Sequence, residues 1–523
     1  MKLDKETKKF FSTKYKFYKE RKSSNGNILM VDRERIDASI INSLISLAIS
    51  KKNKKNVIIL SDLNTDHLNI KIYKHLGFKN FIRGGNKKQY FKNYYLSICS
   101  LFISIIGIFN ILRKDFFWFI KNYKIKNIPF GDLIYDTNIR FDHRYVNLKI
   151  DFKFIKLLIT STFRILLIFK YFKKFKVNKV VVGTENYSFN SGIALRIASY
   201  NNIKNYYPGR ASDTEVEIAT DNIKKLFLGR DNIKNYSVMK EFKKFKPSKI
   251  EIDKFYISRK NQTFKKFFWT LNNFKTANQQ SQKGLNFLKK ISKNKKKKIL
   301  FASHAFSDAA HQKGFIYSFN DFYDQFISTL SFVNLNDNEN LWIFRSHPSS
   351  KIWNEEKYFK NEIQKYRKKN IIICPKNVPM KKLYEICDIV VTGSGTAGLE
   401  FICEGKSAIL AGSAAYSDSK VTPFYAKNKE QYFEFLKNIK SLKKTSQKQK
   451  NIARKILYFF ESGKFISKKI SSNLIKEDKI TRKFFLNNFG MGFNQKKYFN
   501  LVHNMLKQDI NKSQVFTKII NLV

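Results

Sequence analysis

The sequence predicts an α/β protein with two doubly wound, parallel-sheet domains. Three observations predict it. Short β-branched runs alternate with helical periods over residues 27–235, and the alternation returns, cleaner, over 298–412. The chain has 523 residues, 43% hydrophobic and 15% aromatic, enough apolar side chain for more than one core and too much for a disordered chain.

In order, NILMVD (27–32) reads as a strand, Arg35 to Ser50 as a helix and NVIILSD (56–62) as a strand. A helix ends near Gly77, and two long apolar helices follow at 94–112 and 157–172. VNKVVVGT (177–184) is a strand and Ser191 to Asn201 a helix, closing a first domain over 24–235. Residues 236–297 are dominated by Lys, Asn and Gln and read as a basic connection with some helix. In 298–440 the strands ILFAS (299–303), LWIFRSH (341–347), IIICP (371–375), DIVVT (388–392) and SAILAG (407–412) alternate with helices, a doubly wound domain of normal size. The tail 441–523 reads as basic, helical and without strands.

Lys and Arg total 100 against 41 Asp and Glu, a formal charge of +59. Abundant Lys, Asn, Ile and Phe share AT-rich codons, so the surplus is discounted as evidence for nucleic acid. No helix-turn-helix, zinc-finger or aromatic RNA-binding signature is present, and no specific nucleic-acid partner is expected. Four scattered cysteines and seven histidines without metal-like spacing suit a reducing cytoplasm and predict no metal site. The charged N-terminus lacks the apolar core of a secretory signal.

Tyr94 to Leu112 is free of charge and near bilayer-spanning length, but carries three serines, a glycine and an asparagine. A span there would cut one α/β pattern in two, so a buried or interfacial helix is expected. Leu157 to Phe172 is interrupted by Arg164 and followed by lysines, which suits either lipid headgroups or a solvated helix end.

Ligands of open parallel sheets bind at the carboxyl ends of the strands. Three strands of 298–440 carry polar groups there: Ser303 and His304, His347 before Pro348, and Thr392 leading into GSGTAG. Glycines admit an anion close to the backbone, the following helix N-terminus attracts it, and Ser394, Gly395 and Thr396 supply donors. Glu400, one turn on, can accept from ribose hydroxyls. The loop resembles a dinucleotide fingerprint, but sits late in its domain with no acid at the next strand's end, so NAD is not expected and no cofactor is assigned.

The His-Pro strand end, DIVVTGSGTAGLEF and GKSAILAG resemble the nucleotide-sugar domain of bacterial capsule and surface-polysaccharide glycosyltransferases of the GT-B type. FASHAFSDAAHQKG with NDFYDQF, GDLIYD (131–136) and GTENYSFNSGIALRIA (183–198) are similar to further parts of that group. The resemblance implies two Rossmann-like domains facing across a cleft, metal-independent transfer from a nucleotide-sugar donor to a glycan or lipid-linked acceptor, and nucleotide held by His347, Ser394, Thr396 and Glu400. With the apolar helices, it implies a cytoplasmic protein peripherally bound to the inner membrane. An inverting transfer needs a general base. Glu185, after the strand at 177–184, is the first candidate, and Asp136, in a loop after Pro129 and Gly131, the second. The rival enzymes are a nucleotide-sugar 2-epimerase and a polyol-phosphate transferase. From another class, the charge leaves a basic nucleic-acid-binding protein.

Overall fold

The computed structural model describes residues 26–32, 36–85, 87–140, 143–146, 148–182, 187–208, 215–219, 242–261, 282–311, 318–351, 353–366, 368–412, 414, 416–417, 421–461 and 469–471, with Tyr18 and Glu20. The chain divides into two compact units: Met1–Ile134 with Ile150–Lys224 and Ile466–Val523, and Tyr135–Lys149 with Lys225–Phe465.

In the first unit the elements run β1 (Asn27–Val31), α1 (Ile36–Asn53), β2 (Asn56–Leu60), α2 (Leu68–His75), β3 (Phe81–Ile82), α3 (Lys87–Lys92), α4 (Tyr94–Arg113), α5 (Phe116–Asn122), β4 (Lys124–Ile125), β5 (Ile128–Pro129), α6 (Gly131–Arg140), α7 (Phe152–Lys174), β6 (Val177–Val181), α8 (Asn190–Tyr200), β7 (Lys204–Pro208) and β8 (Glu215–Ala219). From Tyr135, inside α6, the chain counts with the second unit until Lys149. The second unit continues with α9 (Lys249–Lys260), α10 (Gln282–Lys293), β9 (Lys298–Ala302), α11 (Phe322–Asn336), β10 (Leu341–Arg345), α12 (Glu356–Lys365), β11 (Ile371–Ile373), α13 (Met380–Ile386), β12 (Ile389–Thr392), α14 (Thr396–Cys403), β13 (Ser407–Leu410), α15 (Lys429–Lys437) and α16 (Gln447–Glu461). Then β14 (Lys469–Ser471) returns to the first unit and pairs antiparallel with β8.

Both units contain the same parallel core. The first sheet runs β14-β8-β7-β6-β1-β2-β3, and its parallel part β7-β6-β1-β2-β3 repeats the order of the second sheet, β11-β10-β9-β12-β13, read in reverse. Each has its first strand at the centre, two successors on one side and two on the other, the doubly wound arrangement. Strands covered on both faces need unbroken apolar runs. NILMV of β1 supplies one, with Ile28 to Val31 fully buried. In the second sheet, Leu300, Ile343 and Val390 face α9, α10, α13 and α16 in one core. Of the alternate residues, Phe301 meets Phe326 of α11 at a tilt and Phe344 meets it edge to face, and Phe326 stacks on Phe359 of α12.

Several expectations change. Residues 236–297 are more than a connection: Phe255, Tyr256, Leu288 and Ile291 are core residues of the second unit. The expected tail adds Ala453, Ile456 and Leu457 of α16 to that core, and the strand β14 to the first sheet. Lysine-rich composition hid narrow apolar stripes, and one such stripe suffices to seal a sheet face. α7 is longer than expected and largely buried, through Phe154, Leu158, Phe163, Ile165 and Leu167. GDLIYD lies in α6, so Asp136 is helical and not in a loop.

A candidate nucleotide-sugar site

The crevice of a doubly wound sheet opens where strand order reverses, here between β9 and β12. β9 leads into Ser303 and His304, and β12 into Gly393, Ser394 and Gly395 before α14. Parallel pairing of Thr392 with Ala302 sets these two turns side by side, and the Thr392 hydroxyl donates to the Ala302 carbonyl at 2.8 Å. His304 Nε2 accepts from the Ser394 backbone N–H at 3.1 Å, which leaves the ring proton on Nδ1. The His304 ring stacks on Phe322 at 4.1 Å and lies nearly parallel to His347, 6.1 Å away. A Cβ on Gly393 would come within 2.9 Å of Phe322 Cε1 and 3.1 Å of His304 Cδ2, so the turn needs glycine on grounds of space.

His347 follows β10 and precedes a short 3-10 turn, Pro348–Lys351. Its Nδ1 accepts from the Ser349 N–H at 3.2 Å and lies 2.6 Å from the Ser349 hydroxyl, so Nε2 carries the donating proton. Burial pushes the His347 pKa down, against an opposing pull from Asp308. A neutral imidazole that donates from Nε2 can hold a phosphate oxygen.

The other expected residues of the second unit fall into three groups. Ser303 and Ser394 are buried and shape the site: the Ser303 hydroxyl donates to the His304 carbonyl, and the Ser394 N–H is engaged by His304. Gly395, the residue before α14, is half-buried and Thr396 exposed, so these two present the helix N-terminus. Glu400 is buried and paired with Arg259 of α9 at 2.9 Å, a partner from the stretch expected as a connection. Tyr256, Arg259, Tyr384 and Glu400 line one pocket.

Asp136 lies in the second unit, fully buried, with its Oδ1 2.7 Å from His311 Nδ1 and its Oδ2 accepting the His311 N–H at 3.2 Å. Beside it the Tyr135 hydroxyl donates to Asp321 at 2.6 Å, and the Tyr135 and His311 rings meet edge to face. Burial pushes the Asp321 carboxyl up to about 6, opposed by that hydrogen bond. Glu355, also buried, accepts the backbone N–H groups of Phe306 and Ser307 and so shapes the loop after β9; burial raises its pKa against those bonds. No sequence signal marked Glu355, which opens an otherwise polar helix. Glu185 lies outside the described residues. In the first unit, Asp132 of GDLIYD forms a buried, two-pronged pair with Arg196, whose Nη2 is 2.8 Å from Oδ2, so that acid is structural. Among the described residues no group of three or more His, Cys, Asp or Glu is placed to hold a metal.

The family model described as capsule polysaccharide biosynthesis protein matches residues 223–431. A search of curated proteins finds no match. Among solved structures, the β-Kdo 2,4 transferase KpsC of Thermosulfurimonas dismutans is 12% identical, covering 53% of this chain and 79% of its own, with a TM-score of 0.30. A glycosyltransferase of Rickettsia africae is 12% identical over 89% of this chain and 100% of its own, with a TM-score of 0.26. The UDP-GlcNAc 2-epimerase of Neisseria meningitidis, solved with UDP-GlcNAc, is 11% identical over 82% and 98%, with a TM-score of 0.23. Likeness this slight carries no function. The family match is different in kind, since it spans the whole second sheet and every crevice residue named above. Over residues 223–431 the chain is therefore similar to the capsule polysaccharide biosynthesis family.

Proposed function

We propose that the protein is a glycosyltransferase that moves a sugar from a nucleotide-sugar donor onto a growing surface glycan, with the donor in the crevice between β9 and β12. The observation that carries this is the junction of His304 with the Ser394–Gly395–Thr396 turn at the switch point of the sheet. The donor phosphates lie against Gly395, Thr396 and the N-terminus of α14, with His347 Nε2 donating to a phosphate oxygen. As the bond from the anomeric carbon to the phosphate oxygen breaks, charge gathers on the departing nucleotide, and these donors stabilise it. Glu400 accepts from the ribose hydroxyls. A carboxylate accepts up to about four hydrogen bonds, so the Arg259 pair and a ribose contact are compatible. The acceptor hydroxyl forms the new bond while Glu185, in an inverting transfer, takes its proton.

The test is a thermal-shift panel of UDP-, CMP-, GDP- and CDP-linked sugars on the full chain. A ligand that binds only the folded state raises its melting temperature, and one nucleotide class is expected to do so. A flat response to all four would overturn the reading. Epimer formation from UDP-N-acetylglucosamine without acceptor would move the assignment to a 2-epimerase.

A further inference from the structure

Helix α4 is built inside out for water. Its buried residues are Ser100, Ser104, Gly107 and Ile111, spaced along one face. The small residues let α4 lie close on its neighbours: a Cβ on Gly107 would come within 2.7 Å of Tyr123 Cε2 and 3.5 Å of Leu158 of α7. Most of its bulky residues point outward instead. Ile98, Phe102, Ile105, Ile106, Phe109 and Leu112 are 50–71% exposed, and Phe91 before the helix is 84% exposed. A surface helix in water shows the opposite pattern. An apolar stripe of this length, roughly 30 Å for twenty residues, needs an apolar partner.

Charge identifies the partner. Tyr94 to Leu112 carries no charge, yet exposed Lys88 and Lys92 precede it, and exposed Arg113 and Lys114 follow. Lys153 and Lys156, exposed on the first turns of α7, add to the rim beside Phe152, itself 77% exposed. An apolar stripe rimmed by cations fits the headgroup and upper acyl region of an anionic bilayer. A second copy of this chain would bring the same lysines against themselves.

Topology decides between lying on the membrane and crossing it. β1 and β2 precede α4 and β6 follows it, yet β1 pairs with both β2 and β6 in one sheet. A crossing at α4 would put paired strands on opposite sides of the bilayer. α7, the other long apolar helix, buries Phe154, Leu158, Phe163, Ile165 and Leu167 inside the protein along its length and cannot return the chain.

We propose that the outward face of α4, extended by Phe91 and Phe152, is a monotopic docking surface for anionic membrane lipid. This goes beyond the donor reading and does not depend on it.

The test is flotation of the full chain with vesicles of phosphatidylcholine alone or with 30% phosphatidylglycerol, in about 0.15 M salt. The protein is expected to float with the anionic vesicles and several-fold less with the neutral ones. The variant Phe102→Ser/Ile106→Ser/Phe109→Ser should lose at least ten-fold of the bound fraction while keeping the cooperative thermal melt of the wild type. Lys88→Gln/Lys92→Gln/Lys114→Gln should lose only the preference for phosphatidylglycerol. Absence of wild-type flotation overturns the proposal, as does equal flotation by a folded serine variant. So would light scattering that shows a dimer, made monomeric by the serines, with no vesicle affinity. Extraction from membranes by detergent alone, resisting carbonate, would indicate a span.

Discussion

His304 Nε2 accepts the backbone N–H of Ser394 at 3.1 Å across 90 residues of sequence, and this bond joins the two strand ends on either side of the switch point. His304→Ala would leave a buried N–H unsatisfied, at a cost of about 1–3 kcal/mol. Denaturant unfolding should show that loss, and calorimetry a nucleotide affinity about ten-fold lower. Gly393→Ala should reach the same end by overpacking, since Phe322 or His304 must shift to admit the methyl group.

The neutral His347 ring makes donor binding depend on protons. Its folded pKa is depressed by burial, so the stability it contributes is present above the ordinary value of 6.5 and lost as pH falls through the lower folded value. A bound phosphate favours the imidazolium. Donor binding just below pH 6.5 should therefore take up a proton, seen as a binding heat that varies with the buffer's ionisation enthalpy. His347→Gln should abolish that variation.

Glu185→Gln is expected to lower turnover on the order of 10²–10⁴ with donor affinity unchanged. Asp136→Asn and His311→Asn should act first on stability, because breaking a buried hydrogen-bonded pair leaves its partner unsatisfied, at a cost of about 1–3 kcal/mol. Turnover measured beside melting curves separates the two roles. Near-normal turnover in Glu185→Gln, with loss confined to turnover in Asp136→Asn, would transfer the base to the Asp136–His311 pair.

Asp321 caps α11 through the Tyr323 and Asp324 N–H groups and is raised to about 6 by burial. A raised folded pKa contributes stability that is complete below the unfolded value of 3.8 and lost as pH rises through about 6. Between those limits the wild type should lose stability relative to Asp321→Asn, as urea titrations at several pH values would record.

The helices from the expected connection and tail should be indispensable to the second unit. Leu457→Ala, deep in its core, should cost about 2–5 kcal/mol. A fragment of residues 298–440, lacking Phe255, Leu288 and Ile456, should show no cooperative melt by circular dichroism.

Much of the fold was legible because the sheets leave strong local marks. Runs such as NILMV, KILFA and IVVT are apolar on both faces only when both are covered. The glycine turn and the His-Pro strand end were equally local and marked the carboxyl edge of the second sheet. The roles of α9, α10 and α16 were hidden because each shows its core one narrow stripe among lysines.

What the sequence determined by itself was the alternation of strands and helices, and with it which residues stand at strand ends. Adjacent residues and fixed periods carry that information. Only the tertiary structure decided that Ser394 serves His304, that Arg259 takes Glu400, and that Asp136 is held by His311. It also decided which face of α4 is left outside, since Ser100, Ser104 and Gly107 are small enough for close packing while the larger side chains are not. Those pairings join residues 90 to 175 positions apart, and no local preference of the chain encodes a contact at such separations.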